Sequence, residues 1–159
     1  MGELFFEEVT DLIEYDSRTA QWCQMPYRDR PKGCVNYNKY DRCPPKVCKV
    51  QDFIDLNNQA WFLINKFDLA SHREWMRSRN PDWTDRQCNC LLYWQSKQRK
   101  QLREFSEEFI NVLPGTVYDL CPEAKGVNIF KILRKHLKIP IVARPTETVY
   151  LVSMVGYKK

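Results

Sequence analysis

Residues 23–49 restrict how this chain can fold more than any other part of it. Pro26, Pro31, Gly33, Pro44 and Pro45 punctuate a basic stretch rich in Asn and Tyr. Its apolar residues follow neither the period of 2 of a strand nor the period of 3.6 of a helix. So long a structureless segment inside a compact domain is uncommon unless it is functional or held by something. Four of the chain's seven cysteines lie there, namely Cys23, Cys34, Cys43 and Cys48; the others are Cys88, Cys90 and Cys121. An odd number without a secretory signal argues against a closed disulfide framework. Clustered cysteines in a reducing compartment bind metal, carry redox chemistry or fill the core.

The remainder reads as one globular domain. The chain has 159 residues, of which 43% are apolar and 13% aromatic, enough to bury a core without crosslinks. No run approaches the roughly 20 apolar residues of a membrane span. Residues 1–16 hold six acids and no Lys or Arg, the opposite of a secretory leader's basic start, so a cytoplasmic location is expected. With −6 in that stretch, a chain of net charge +5 carries +11 over residues 17–159. Residues 17–50 hold Arg18, Arg28, Arg30, Lys32, Lys39, Arg42, Lys46 and Lys49 against Asp29 and Asp41. Such a surplus suits an anionic partner, whether nucleic acid, phosphate or an acidic protein, and equally suits a plain solvated face.

Periodicity divides the chain into an acidic helical segment over 1–22, the Cys/Pro-rich segment over 23–49, and a core over 50–159. In the first, Leu4, Phe5, Val9, Leu12 and Ile13 recur at helix spacing. In the third, a short helix is expected over 50–56, a buried strand over 60–67 and a helix over 72–79, ended by Asn80 and Pro81. Thr84 with Gln87 forms a capping-box pattern, opening a helix that runs to Val112, before Pro114 and Gly115. Strands are expected over 116–120 and 148–157, a helix over 126–137, and a possible further strand over 139–143. Alternating strands and helices point to an α/β fold: a single domain with a small mixed or parallel sheet flanked by helices, plus a Cys-rich metal-binding loop.

Cys23, Cys34 and Cys43 stand singly rather than in the close pairs of a zinc knuckle, so zinc is the alternative rather than the first choice. Isolated cysteines on irregular backbone, with a Cys-Pro step, match iron–sulfur ligation, and a 4Fe-4S cluster is the expected cofactor. Cys43-Pro44-Pro45 and Cys121-Pro122 both carry that step, and Gly33 before Cys34 lets backbone come close to a cluster. Cys121 follows an expected strand and precedes an expected helix, the place where α/β sheets gather ligands. Cys23, Cys34, Cys43 and Cys121 are therefore the candidate metal ligands. Cys48 is a substitute, and Cys88 and Cys90, two apart on a helix, cannot both face one centre.

The stretch Trp22-Cys23-Gln24-Met25-Pro26-Tyr27, then Pro31-Lys32-Gly33-Cys34-Val35-Asn36-Tyr37, then Cys43-Pro44-Pro45 resembles a microbial family of predicted metal-binding proteins. That family carries an early Cys, a Cys-Pro-Asn-Tyr-Gly-like stretch and a closing Cys-Pro-Pro. The likeness extends more loosely through Tyr93-Trp94-Gln95, Arg99-Lys100-Gln101-Leu102 and Cys121-Pro122-Glu123-Ala124. Val35 replaces the family's proline and Asn38 its glycine; Asn tolerates left-handed backbone, so the second change is mild. The family has no settled activity, and the resemblance implies metal binding without fixing a reaction.

From Gln95 to Gln101 no residue is apolar. This turn is either a solvated basic face, a nucleic-acid contact beside Tyr93 and Trp94, or a wall of the cluster cavity. In the last case Arg99 and Lys100 bind an anionic substrate or offset the cluster's charge. His72 and His136 are the only histidines, too few for a hydrolytic triad. Three functions stay open: an iron–sulfur enzyme of sulfur transfer or desulfuration acting on a small or nucleic-acid-derived substrate; a zinc- or cluster-stabilised nucleic-acid-binding module; and a small electron-transfer partner. Three ligands leave an open iron and favour the first, while four favour the others.

Overall fold

The computed structural model describes residues 2–26 and 30–159; Tyr27, Arg28 and Asp29, named above, lie outside them. The element order is β1 (Glu3–Glu8), α1 (Arg18–Gln21), α2 (Val50–Phe53), β2 (Ala60–Asp68), α3 (Leu69–Arg79), α4 (Asp85–Cys88), α5 (Gln95–Val112), β3 (Thr116–Asp119), α6 (Ile129–Lys131) and β4 (Thr148–Tyr157). The four strands form one sheet in the order β1-β2-β4-β3, and every neighbouring pair is antiparallel. The fold is mixed α/β as expected, but the sheet is neither parallel nor mixed. The near-continuous apolar run of β2 reflects burial on both faces of an antiparallel centre, a pattern that parallel strands also give.

Alternation assigns the two faces. Ala60, Phe62 and Ile64 of β2 join Val152 and Met154 of β4 in a core closed by Val9, Ile13, Val50, Ile54, Val127, Ile129 and Leu133. Trp61 and Leu63 join Val155 under Leu102, Phe105 and Phe109 of α5. The sheet is thus sandwiched between α5 and the long connection from β1 to β2.

Residues 1–22 are not a helical segment. Leu4, Phe5 and Phe6 run as β1, paired from Glu3 opposite Lys66 to Glu8 opposite Trp61. Phe6 stacks edge-on against Phe109 of α5, 5.2 Å between ring centres, while Phe5 packs on the opposite core. Both faces of the strand are used, and the helical spacing is coincidental. Helix appears only at α1, followed by a 3-10 turn over Trp22–Gln24.

The expected helix from Thr84 to Val112 is broken. The capping box forms as read, with Thr84 and Gln87 bonding each other's backbone, but α4 ends at Cys88 and a 3-10 turn over Leu91–Tyr93 precedes α5. Trp94 is the cause. Its ring stacks on Phe67 at 5.3 Å and its indole N–H donates to Asn89 O at 3.1 Å, holding the chain in a corner a straight helix could not make. The helix expected over 126–137 starts later, with Asn128 accepting the Lys131 N–H, and continues from α6 as a π turn over Ile132–His136. Residues 139–143 form no strand.

One buried polar pair ties α5 to the sheet. Asn65, fully buried on β2, donates from Nδ2 to Gln98 O at 3.0 Å and to Gln98 Oε1 at 3.1 Å. Asn65→Leu strands the Gln98 amide and should cost about 1–3 kcal/mol in urea unfolding. The double variant Asn65→Leu/Gln98→Leu should recover part of that loss, which a double-mutant cycle measures.

Candidate metal centre

The chain is sewn to itself ahead of the cysteines. Tyr15 bridges Val127, and the Asp16 N–H donates to Gly126 O at 2.7 Å. Thr19, 1% exposed, places its hydroxyl 2.7 Å from Glu123 O, and Asn128 Nδ2 donates to Asp16 Oδ2 at 3.3 Å. Gly126 has φ of +93°, and a Cβ there would collide with the Tyr15 ring, so the seam requires glycine. Residues 15–19 thereby lie against residues 123–128, and the segment that follows is delivered beside Cys121.

Within the segment, turns replace periodic structure. The Cys34 N–H donates to Cys23 O at 2.7 Å, and Gly33, at φ +81°, lets the two strands of the loop touch. A Cβ on Gly33 would stand 2.5 Å from Cys23 O. Asn38 adopts φ of 59° and its N–H donates to Pro44 O at 2.7 Å, so the expected left-handed tolerance is used. Cys43 O accepts from Lys46 and Val47 at 3.0 and 3.1 Å, and Gln24 donates to the Tyr37 hydroxyl at 3.0 Å. Cys23, Cys34 and Cys43 are all half-buried.

Their proximity is electrostatic as well as topological. Burial pushes the Cys23 thiol above its ordinary range, and the charges of Cys34, Cys43 and Glu123 add to the rise. Cys121 is pushed up to about 12, first by burial, then by the carboxylates of Glu123 and Asp119, with a smaller push from Cys23. Yet Cys121 is exposed by surface area. Asp119 shapes the turn: Oδ1 accepts the Cys121 N–H at 3.0 Å, while Oδ2 pairs with Lys125 Nζ at 2.7 Å. Glu123 is pushed up to about 7, mainly by burial and then by Asp119, against the opposing pull of its own backbone N–H, the Cys121 thiol and Arg99.

These donors are mutually repulsive when ionised, and a cation among them reverses the sign of every one of those shifts. Among the described residues, no three or more His, Cys, Asp and Glu side chains are gathered into a ligating group; Cys23 is within electrostatic reach of Cys34, Cys43 and Cys121.

The other candidates separate. Arg99 is within electrostatic reach of Glu123, whereas Lys100 turns to Glu104 at 3.7 Å and is 70% exposed. Cys48 is exposed, Cys88 is fully buried and Cys90 half-buried. Lys131 and Arg134 border an open groove with Trp22, Met25 and Phe130. Both are engaged internally: Lys131 with Glu14 at 2.7 Å, and Arg134 with Ile141 O at 2.7 Å. Asp119 and Glu123 flank Cys121 in the sequence, where such carboxylates serve proton transfer or are simply solvated; the fold pairs Asp119 with Lys125 and half-buries Glu123. Glu123 also lines a chamber of about 310 Å³ with Asn89, Trp94, Gln95, Phe130 and Tyr150.

Fold and site together define a mixed α/β protein in which a cysteine-bearing loop is docked onto a strand end. No protein-family model matches the sequence, and no curated protein or solved structure matches it. No helix among the described residues is long and apolar enough to cross a membrane.

Two outcomes test this arrangement. Gly33→Ala forces a side chain into left-handed backbone, costing about 1–2 kcal/mol for the conformation alone, plus the clash with Cys23. Limited proteolysis should therefore cut residues 30–47 faster than in the wild type. Asp16 is held well below the usual carboxylate range by the Arg18 side chain, the Arg18 N–H and Asn128. A depressed carboxyl contributes stability that is present above its unfolded value, about 3.9, and lost as pH falls through the folded one. Melting temperature should drop across that acid window, and Asp16→Asn should flatten the drop while lowering stability at neutral pH.

Proposed function

We propose that Cys23, Cys34 and Cys43 hold a metal centre, a 4Fe-4S cluster in the first instance, with Cys121 as the fourth thiol beside it. The observation that carries this reading is that the Cys34 N–H is bonded to Cys23 O at 2.7 Å, eleven residues apart, with Cys43 also within electrostatic reach of Cys23. Among the described residues of 23–47, Val35 and Tyr40 are exposed, so apolar burial of these side chains does not account for such order. Binding energy supplied by a metal does. The choice of iron–sulfur over zinc rests on single cysteines and Cys-Pro steps.

A cluster held by three thiolates keeps one iron open, and such an iron acts as a Lewis acid or holds a sulfide. Sulfur transfer or desulfuration on a small or nucleic-acid-derived substrate is accordingly the reaction proposed. Arg99 and Glu123, within electrostatic reach of each other beside Cys121, are the groups proposed to meet an approaching substrate.

Anaerobic purification, or reconstitution with iron and sulfide, should give a brown protein with broad visible absorbance. Each of Cys23→Ser, Cys34→Ser and Cys43→Ser should lose metal, while Cys90→Ser retains it. Full metal content in all three variants would end the proposal. A colourless protein holding one zinc would keep the ligands and replace the cluster. Cys121→Ser reports ligand number separately: lost metal makes it a ligand, and retained metal with an unshifted spectrum leaves three.

A further inference from the structure

The chamber lined by Glu123 exists because β3 is short. β3 pairs with β4 only from Thr116 opposite Tyr157 to Asp119 opposite Met154, and the chain then turns away at Cys121. Earlier residues of β4 keep β2 on one side and have no strand on the other. Alternation along the strand fixes which backbone groups face that uncovered edge. Lys158 directs its N–H to Gly115 O, on the β3 side, and Tyr157 directs its carbonyl to Asp55, on the β2 side. Residues of even number in β4 therefore point N–H and C=O toward β3. Tyr150 is one of them, and it lines the chamber.

The wall opposite is apolar and aromatic, with Leu69, Trp94, Phe130 and Ile141. Three side chains bring polarity: Asn89, Gln95 and Glu123. Asn89 Oδ1 is buried without a hydrogen-bond partner, although the Asn89 backbone is engaged in holding Trp94. An unpaired strand edge offers one donor beside one acceptor. Two amides and a carboxyl around an aromatic surface complete a set that suits a flat molecule with adjacent N–H and C=O groups. The volume, about 310 Å³, lies at the lower end of small-molecule sites, roughly 300–1,000 Å³.

We infer that this chamber binds a cyclic amide or ureide heterocycle of the pyrimidinone or purinone kind, paired along the Tyr150 backbone and held by Asn89, Gln95 and Glu123 beside Trp94. The inference names a substrate class for the proposed centre and rests on that reading only for its catalytic meaning; the binding itself uses residues outside the cysteine segment. The heterocycle can arrive free or as part of a nucleotide. In the second case the exposed Arg99, whose charge reaches Glu123, is the cation proposed to meet a phosphate.

Calorimetric titration of the full chain with uracil, hypoxanthine, 1,3-dimethyluracil and uridine 5′-monophosphate tests this. Uracil or hypoxanthine should bind, and 1,3-dimethyluracil, stripped of both N–H donors, should bind at least about tenfold more weakly. Asn89→Leu and Gln95→Leu, checked by melting to be folded, should each weaken binding by a similar factor. Tighter binding of the monophosphate than of uracil supports a nucleotide source, weakened in turn by Arg99→Gln; equal binding supports a free base. No binding by any probe overturns the inference, as does equal affinity for the dimethylated one or indifference to both substitutions. Titrating both the wild type and Cys23→Ser separates the two readings: loss of metal from Cys23→Ser with retained heterocycle binding leaves both standing, and a metal-loaded wild type that binds no heterocycle removes the chamber alone.

Discussion

Much of this structure hangs on a buried hydroxyl and its neighbours. β1 and β2 are adjacent in the sheet, yet all of residues 9–59 lie between them. Closing so long a connection is entropically costly, though the cost grows slowly with length. What makes it definite is the contact of Thr19 with Glu123 and of Asp16 with Gly126 and Asn128. That seam cuts the connection into two smaller loops. The first wraps the core through Val9 and Ile13, and the second carries Cys23, Cys34 and Cys43 to the end of β3. Without it, the cysteine segment has no fixed relation to Cys121.

The brevity of β3 has two effects with one origin. Asp119 ends the strand by turning its carboxylate back onto the Cys121 N–H and onto Lys125. This turn sets Cys121 beside Asp119, and the same early end of β3 leaves the first half of β4 uncovered. The ammonium of Lys125 is balanced by Asp119 and lies 4.7 Å from the Phe53 ring centre, so this charge is engaged within the protein.

What the sequence reveals follows from how local each determinant is. β2, α3, the Thr84 capping box and β4 are encoded by patterns of a few adjacent residues and were legible. The strand character of residues 3–8 was not, because Leu4 and Phe5 fall at helix spacing with Val9, Leu12 and Ile13. The break in the helix after Cys88 was hidden for a similar reason: it depends on Trp94 finding Phe67, a contact between distant residues. Sheet direction was misread since burial on both faces, rather than strand polarity, sets composition. The irregular course of residues 23–49 could be read from their prolines and their lack of any period. The depth of Glu123 could not, since its neighbours come from elsewhere in the chain.

β1 is an edge strand with an exposed Phe6 and an open row of backbone groups, the kind of border on which another chain can template itself. It also carries Glu3, Glu7 and Glu8. A second copy adding antiparallel to this border brings glutamates against glutamates, and Coulomb repulsion opposes the growth of a fibril at its first step. Such protection is long-ranged but soft, shortened as ions shrink the Debye length from about 10 Å at 0.1 M to about 3 Å at 1 M. Resistance to growth at this edge is in that sense lent by the solvent, and concentrated salt withdraws it.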